Sequence, residues 1–157
     1  GRIVIMLTGK YAGKKAIILK VFYEGSKDRK FGHALVAGIN RCPKKVTSSM
    51  NEKRVQNRIK VKPFVKYVNF NHFMPTRYLL NQDLDIKGLT KSFESHSTTK
   101  TENGEKKERD PLVNLDFKTN LRKDIKKALE AKYKTLNLND NSPDNFLVKF
   151  FFKPLRF

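Results

Sequence analysis

The stretch GRIVIMLTGKYAGKKAIILKVFYEG, residues 1–25, places a turn rich in glycine and lysine between two apolar runs. The runs RIVIML and KKAIILKVFYEG are dense in β-branched and aromatic residues, which is typical of strands. Gly9 and Gly13 lie between them, and glycine permits backbone angles and close approaches that a Cβ would block. The stretch therefore predicts two strands joined by a glycine turn.

The same ingredients raise the alternative of a nucleotide-binding P-loop. Such a loop has four residues between its glycines, a Ser or Thr after the Lys, and a helix directly afterwards. Here three residues separate Gly9 from Gly13, Lys15 takes the place of the hydroxyl residue, and the next run favours a strand. The sequence contradicts the nucleotide-binding interpretation on all three counts.

The composition indicates a polyanionic partner. The 157 residues include 34 Lys and Arg against 15 Asp and Glu, a formal net charge of +19 with a pI of about 10.1. Self-repulsion of this size favours a nucleic acid partner. A membrane-binding amphipathic helix would concentrate its charge on one helix, whereas this charge is spread along the chain. We therefore expect no membrane partner.

Cysteine usage and the apolar runs bear on the compartment. Cys42 is the one cysteine, so an internal disulfide is excluded. No apolar run approaches the roughly 18 residues of a membrane span, and the pattern of a secretory signal is missing. We expect a cytoplasmic protein. Because the chain begins with Gly1 and Arg2 inside an apolar run, we also expect a few residues to precede it.

The charge divides the chain in two. Residues 1–80 hold 18 Lys and Arg and three Asp and Glu, a net charge of +15. Two further stretches of this half, HALVAGINR and KRVQNRIKVKPFVKYVNF, carry strand signals. We predict a small barrel with basic extensions over residues 1–87, completed by its partner because so charged a chain buries little core.

The second half begins with a polar stretch. Residues 88–110, GLTKSFESHSTTKTENGEKKERD, lack the apolar residues of a core, which predicts a flexible insertion. Residues 111–157 are predicted to form a helix and a packed aromatic tail, FLVKFFFKPLRF. Asp110 is the expected N-cap and Pro111 the first helical residue. The predicted apolar stripe is Phe117, Leu121, Ile125, Leu129 and Tyr133.

The polar residues favour binding over catalysis. His33, His72 and His96 have no zinc-site spacing with Cys42, so we expect no metal, and we expect no other cofactor. The carboxylates Glu24, Asp28 and Asp83 are isolated among lysines, and no nucleophile with a base accompanies them, so we predict no enzyme. The basic runs RCPKK and KRVQNRIKVK are either phosphate contacts or solvated faces.

Residues 69–78, NFNHFMPTRY, carry groups that can hydrogen-bond to or stack on unpaired bases, while Pro75 stiffens a predicted loop. The alternative is that Phe70, Phe73 and Tyr78 pack while Asn69 and Asn71 cap turns. Both interpretations can hold together.

Residues 1–25 resemble the KOW motif, a pair of strands around a glycine turn found in ribosomal proteins and NusG-type elongation factors. With the continuation DRKFGHALVAGINRCPKKVT, FVKYVNFNHFMPTRY and FFFKPLRF, the chain resembles the eukaryotic large-subunit ribosomal protein twenty-seven family, which is unrelated to the bacterial protein of that number. The resemblance is close over residues 1–87 and looser over 110–157. Residues 88–109 are longer and more polar than the connection in the family.

This resemblance implies a mainly β fold with an α extension, namely an SH3-like barrel, a C-terminal helix and a packed tail. It implies a structural role on ribosomal RNA of the cytoplasmic large subunit, assembly in the nucleolus, neighbouring ribosomal proteins as partners, and no small-molecule substrate. A KOW-domain elongation factor is the alternative, which would need a further domain for polymerase contact, and a nucleotide hydrolase is a distant third. The predicted RNA-binding residues are Lys10, Tyr11, Gly13, Lys14, Lys15, Arg41, Lys44, Lys45, Lys53, Arg54, Arg58, Lys60, Lys62, Asn71, His72, Arg77, Lys126 and Lys127.

Overall fold

A computed structural model describes residues 1–26, 29–80, 112, 114–135 and 143–155 of the chain. Its strands are β1 (Arg2–Met6), β2 (Lys15–Phe22), β3 (His33–Arg41), β4 (Lys62–Asn69) and β5 (Phe73–Leu79). Its helices are α1 (Glu52–Ile59), α2 (Leu115–Thr135) and α3 (Pro143–Phe152), and short 3-10 turns span Gly9–Tyr11 and Phe70–His72.

The five strands form one antiparallel sheet in the order β4-β3-β2-β1-β5. β4 and β5 are at opposite ends of this order, yet only the turn Phe70–His72 joins them, so the sheet curls into a small barrel. One apolar cluster fills the concave face with residues from all five strands: Val4, Met6, Ala16, Ala34, Val36, Phe64, Val68 and Phe73. The predicted fold class, mainly β with an α extension, is confirmed.

A second apolar cluster joins the other face of the sheet to the C-terminal helices. The strands contribute Ile3, Ile17, Leu35 and neighbouring residues, and α2 contributes the stripe Phe117, Leu121, Ile125 and Leu129. Val148, Phe151 and Phe152 of α3 belong to the same cluster. The predicted helical stripe and the predicted packing of the tail are therefore confirmed, and the tail packs within the chain as a helix.

The start of α2 differs from the prediction. The proposed N-cap Asp110 and the first position Pro111 lie outside the described residues. The helix begins at Leu115, where the side-chain oxygen of Asn114 accepts a hydrogen bond from the backbone N–H of Asp116 at 3.1 Å. The predicted insertion at residues 88–110 also lies outside the described residues, and the domain boundaries stay a prediction.

The strand prediction was wrong over residues 53–59, which belong to α1. Asn51 precedes the helix in an extended conformation, Glu52 occupies the first turn and Arg58 the last, as helix ends favour. Val55 and Ile59 are four residues apart and partly buried, which is helical spacing. The adjacent strand signal of β4 masked these features.

The predicted loop at residues 69–78 was also wrong, because a turn and β5 occupy it. Pro75 lies in β5 and pairs with Val4 of β1. Because β5 is an edge strand, a residue without an N–H is tolerated there. The side-chain oxygen of Asn69 accepts from the N–H of Asn71 at 3.0 Å, and Phe73 is buried. The packing interpretation is thus confirmed for Phe73 and the capping interpretation for Asn69, whereas Asn71 contributes its backbone N–H to that cap.

Candidate nucleic-acid interface

Five of the predicted RNA-binding residues line one groove of about 510 Å³ beside α1. The groove is lined by Arg41, Lys44, Asn51, Lys53, Arg54, Asn57 and Arg58. None of these side chains is acidic, so the groove concentrates positive charge on a concave surface. The two asparagines were not predicted from the sequence; Asn51 precedes α1 and Asn57 lies within it.

Backbone and side-chain hydrogen bonds fix the residues that line the groove. None of the residues of α1 is fully buried, so packing alone does not fix the helix. The Nε of Arg58 donates to the carbonyl of Lys45 at 2.9 Å, and the N–H of Lys44 donates to the carbonyl of Arg58 at 2.9 Å. Lys60 donates to the side-chain oxygen of Asn57 at 2.8 Å. Arg58 therefore orders the loop as well as contributing charge.

The glycine turn has the backbone that the sequence predicts. Gly9 and Gly13 have φ angles of 80° and 71°, in the left-handed region that favours glycine. The N–H of Gly13 donates to the carbonyl of Met6 at 2.8 Å, and the N–H of Met6 donates to the carbonyl of Lys14 at 2.9 Å. These bonds fix the turn, on which Lys10 is exposed and Lys14 is partly exposed.

The side chain of Lys15 is directed into the protein. Its side chain is buried, and its ammonium donates to the carbonyl of Phe150 and, at 2.9 Å, to the carbonyl of Lys153. The Phe150 ring centroid lies 3.7 Å from the same nitrogen. Burial lowers the pKa of Lys15, an effect that Cys42 opposes and Lys153 reinforces. Lys15 fastens the end of α3 to the barrel, and we leave it out of the proposed interface.

The side chain of Tyr11 packs within the protein. Its ring stacks on Phe64 with a centroid distance of 3.9 Å and an interplanar angle of 3°. Phe64 in turn packs against Gly38, where a Cβ would come within 2.4 Å of the ring. The stack of Tyr11 on Phe64 supports the glycine turn, and a role of Tyr11 in RNA binding stays a prediction.

The remaining predicted residues lie outside the groove. Lys62 is exposed on β4, and the neighbouring N–H of Val61 donates to the Glu130 carboxylate at 3.1 Å. Glu130 also pairs with Lys126 at 3.9 Å, so α2 brings Lys126 towards β4. Lys127 is exposed on α2, Asn71 and His72 are exposed on the turn after β4, and Arg77 is exposed on β5.

Cys42 lies near the glycine turn and lines a small pocket with Lys14 and Lys15. Burial raises the pKa of its thiol, and Lys14 and Lys15 counteract this. Among the described residues, no group of three or more His, Cys, Asp or Glu side chains could hold a metal ion. Within the same part of the chain, no helix is long and apolar enough to cross a membrane.

The model of the Ribosomal L27e protein family matches residues 3–157. The chain belongs to the L27e family. It is 46% identical to the large ribosomal subunit protein eL27 of Tetrahymena thermophila over 157 residues, which cover all of this chain and 95% of the relative. It is 39% identical to the large ribosomal subunit protein eL27A of Schizosaccharomyces pombe with the same coverage. A third relative, eL27 of Pyrobotrys stellatus, is 39% identical over 86% of each chain. The resemblance drawn from the sequence is confirmed.

Proposed function

We propose that this L27e-family protein is a structural constituent of the large ribosomal subunit and that it stabilises folded ribosomal RNA. The groove beside α1 carries the proposal, because five cationic side chains converge there and none of the described residues that line it is acidic. The relatives from Tetrahymena thermophila and Schizosaccharomyces pombe are named as large ribosomal subunit proteins, and the matches cover 95% of each relative. A structural role of this kind requires no catalytic residues, cofactor or small-molecule substrate.

Binding is electrostatic in this proposal. Each phosphate that a lysine or arginine neutralises releases counterions, and affinity then falls with salt concentration. Arg41, Lys44, Lys53 and Arg54 supply the groove's exposed charges, whereas Arg58 is held by the backbone of the loop. Lys10 is exposed on the glycine turn and adds a further cation outside the groove. The partners are ribosomal RNA and adjacent ribosomal proteins, in the nucleolus during assembly and in the cytoplasm afterwards.

The test replaces two exposed groove cations by glutamine, Lys53→Gln together with Arg54→Gln. Log affinity for ribosomal RNA decreases linearly with log salt concentration. We expect the magnitude of this negative slope to decrease by about 1.4 to 1.8, which corresponds to two lost contacts. The free energy of unfolding should change little, because both side chains are exposed.

The matched control removes the same charge from α2, with Lys123→Gln together with Lys134→Gln, both exposed and away from the groove. Incorporation into large subunits is measured alongside by co-sedimentation. An equal reduction of the slope in both double variants would contradict a specific role of the groove. Failure of the unaltered protein to enter large subunits would contradict the proposed function itself.

A further inference from the structure

A second cleft, of about 440 Å³, lies between the glycine turn, the β2–β3 connection and β4. Phe31, Tyr67 and Val68 give it an aromatic and aliphatic lining, and Arg29 and Lys66 add two cations. Among the described residues, no acidic side chain lines it. Of the residues predicted to bind RNA, His72 alone lines this cleft. The cleft shares no lining residue with the groove beside α1, so it is a separate feature of the surface.

Phe31 is both exposed and held in place. Its side chain is 45% exposed, which is unusual for a phenylalanine. The Nδ1–H of the buried His33 donates to the carbonyl of Phe31 at 2.9 Å, and the two rings make an edge contact at 5.8 Å. His33 itself stacks on Phe22 at 4.9 Å. A fixed aromatic side chain loses little conformational freedom when a ligand covers it.

The rest of the cleft supplies charge and hydrogen-bonding groups. The Arg29 guanidinium lies 4.4 Å from the centroid of the Tyr67 ring, and Lys66 is exposed. The side-chain oxygen of Asn69 accepts from Asn71, which orients a carboxamide whose NH₂ group can donate to a ligand. An aromatic platform beside cations and an amide is the chemistry that recognises unpaired nucleotides.

We propose that this cleft binds an unpaired RNA base, stacked on Phe31, with the attached phosphates near Arg29 and Lys66. The inference rests on the proposed function, because it assumes that the protein binds RNA. It extends the proposed function by naming the RNA feature that the cleft recognises. Bases inside a duplex have both faces covered by their neighbours, so they cannot stack on Phe31. A bulged or looped-out nucleotide is therefore the expected ligand of the cleft.

The experiment compares three RNA hairpins with the full chain: one with a single bulged adenosine, one with an abasic bulge at the same site, and one fully paired. We expect the bulged adenosine hairpin to bind about fivefold or more tightly than the other two, the effect of one stacked base. Phe31→Leu should abolish this preference and leave binding of the paired hairpin unchanged. Phe31→Tyr should retain it.

Tyr23→Leu is the matched control, because Tyr23 is an exposed aromatic residue that does not line the cleft. This variant should keep the preference for the bulged adenosine. Equal binding of the abasic and adenosine bulges would show a phosphate site only and would overturn the proposal, as would a preference that persists in Phe31→Leu. Absence of binding to every hairpin would instead count against RNA binding as a whole.

Discussion

Lys14 and Lys15 are adjacent in the sequence but have different environments. The side chain of Lys14 is partly exposed, whereas that of Lys15 is buried and bound to the carbonyls of Phe150 and Lys153. A row of lysines in a basic chain predicts phosphate contacts equally at each position. Only the folded structure shows which ammonium is directed inward, because the partners are main-chain carbonyls more than 130 residues away.

Replacement of Lys15 by methionine should therefore lower stability more than RNA affinity. The variant keeps the apolar stem but removes a charged donor to two carbonyls, and hydrogen bonds to charged groups contribute about 1.5 to 3 kcal/mol each. Urea unfolding measures the first effect and the salt dependence of RNA binding the second. Lys14→Met is the control, and it should show the opposite order. A fully stable Lys15→Met protein would contradict the fastening role.

At the scale of elements, α3 shows what a C-terminal aromatic sequence can and cannot predict. The apolar composition of FLVKFFF predicts packing, and the packing is confirmed. The helical form was not predicted, because seven residues with few polar positions fit strand and helix periods equally well. A different cause explains α1, where the strand signal of the adjacent β4 outweighed the helical spacing of Val55 and Ile59.

Two phenylalanines of α3 allow a matched test of this packing. Phe151 is 1% exposed and belongs to the shared core, whereas Phe146 is 54% exposed and makes an edge contact with Tyr78 at 6.1 Å. Phe151→Ala should lower the free energy of unfolding by about 3 to 5 kcal/mol. Phe146→Ala should lower it by much less. Similar losses in the two variants, measured by chemical denaturation, would contradict the placement of the helix.

At the scale of the whole molecule, the barrel and the C-terminal helices share one core. Ile3, Ile17 and Leu35 of the sheet lie in the same cluster as Leu121 and Phe151. Composition predicted that a barrel this charged would be completed by its partner, and the spacing of apolar residues predicted the helical stripe. In the structure, the stripe and the tail of the same chain cover one face of the sheet. This arrangement depends on contacts between distant segments, which no local pattern in the sequence specifies.

We expect the chain to unfold as one cooperative unit. The circular dichroism signal of the helices and the near-ultraviolet signal of the aromatic side chains should then change at the same denaturant concentration. A shortened chain of residues 1–110 should expose the outer apolar face of the sheet and aggregate, which size-exclusion chromatography would detect. Separate transitions, or a monomeric and folded shortened chain, would show that the barrel is independent of the helices.

The hydrogen bond between Lys15 and the carbonyl of Phe150 cannot form until almost the whole chain has been synthesised. The two residues are 135 positions apart, and chains grow at about 5 to 20 residues per second, so roughly 7 to 27 seconds separate their synthesis. The barrel cannot form before β5 has been made, and from then until α2 and α3 follow it has an uncovered apolar face and a Lys15 ammonium whose partners do not yet exist. We expect a strongly cationic chain in this state to be open to premature contact with nearby RNA.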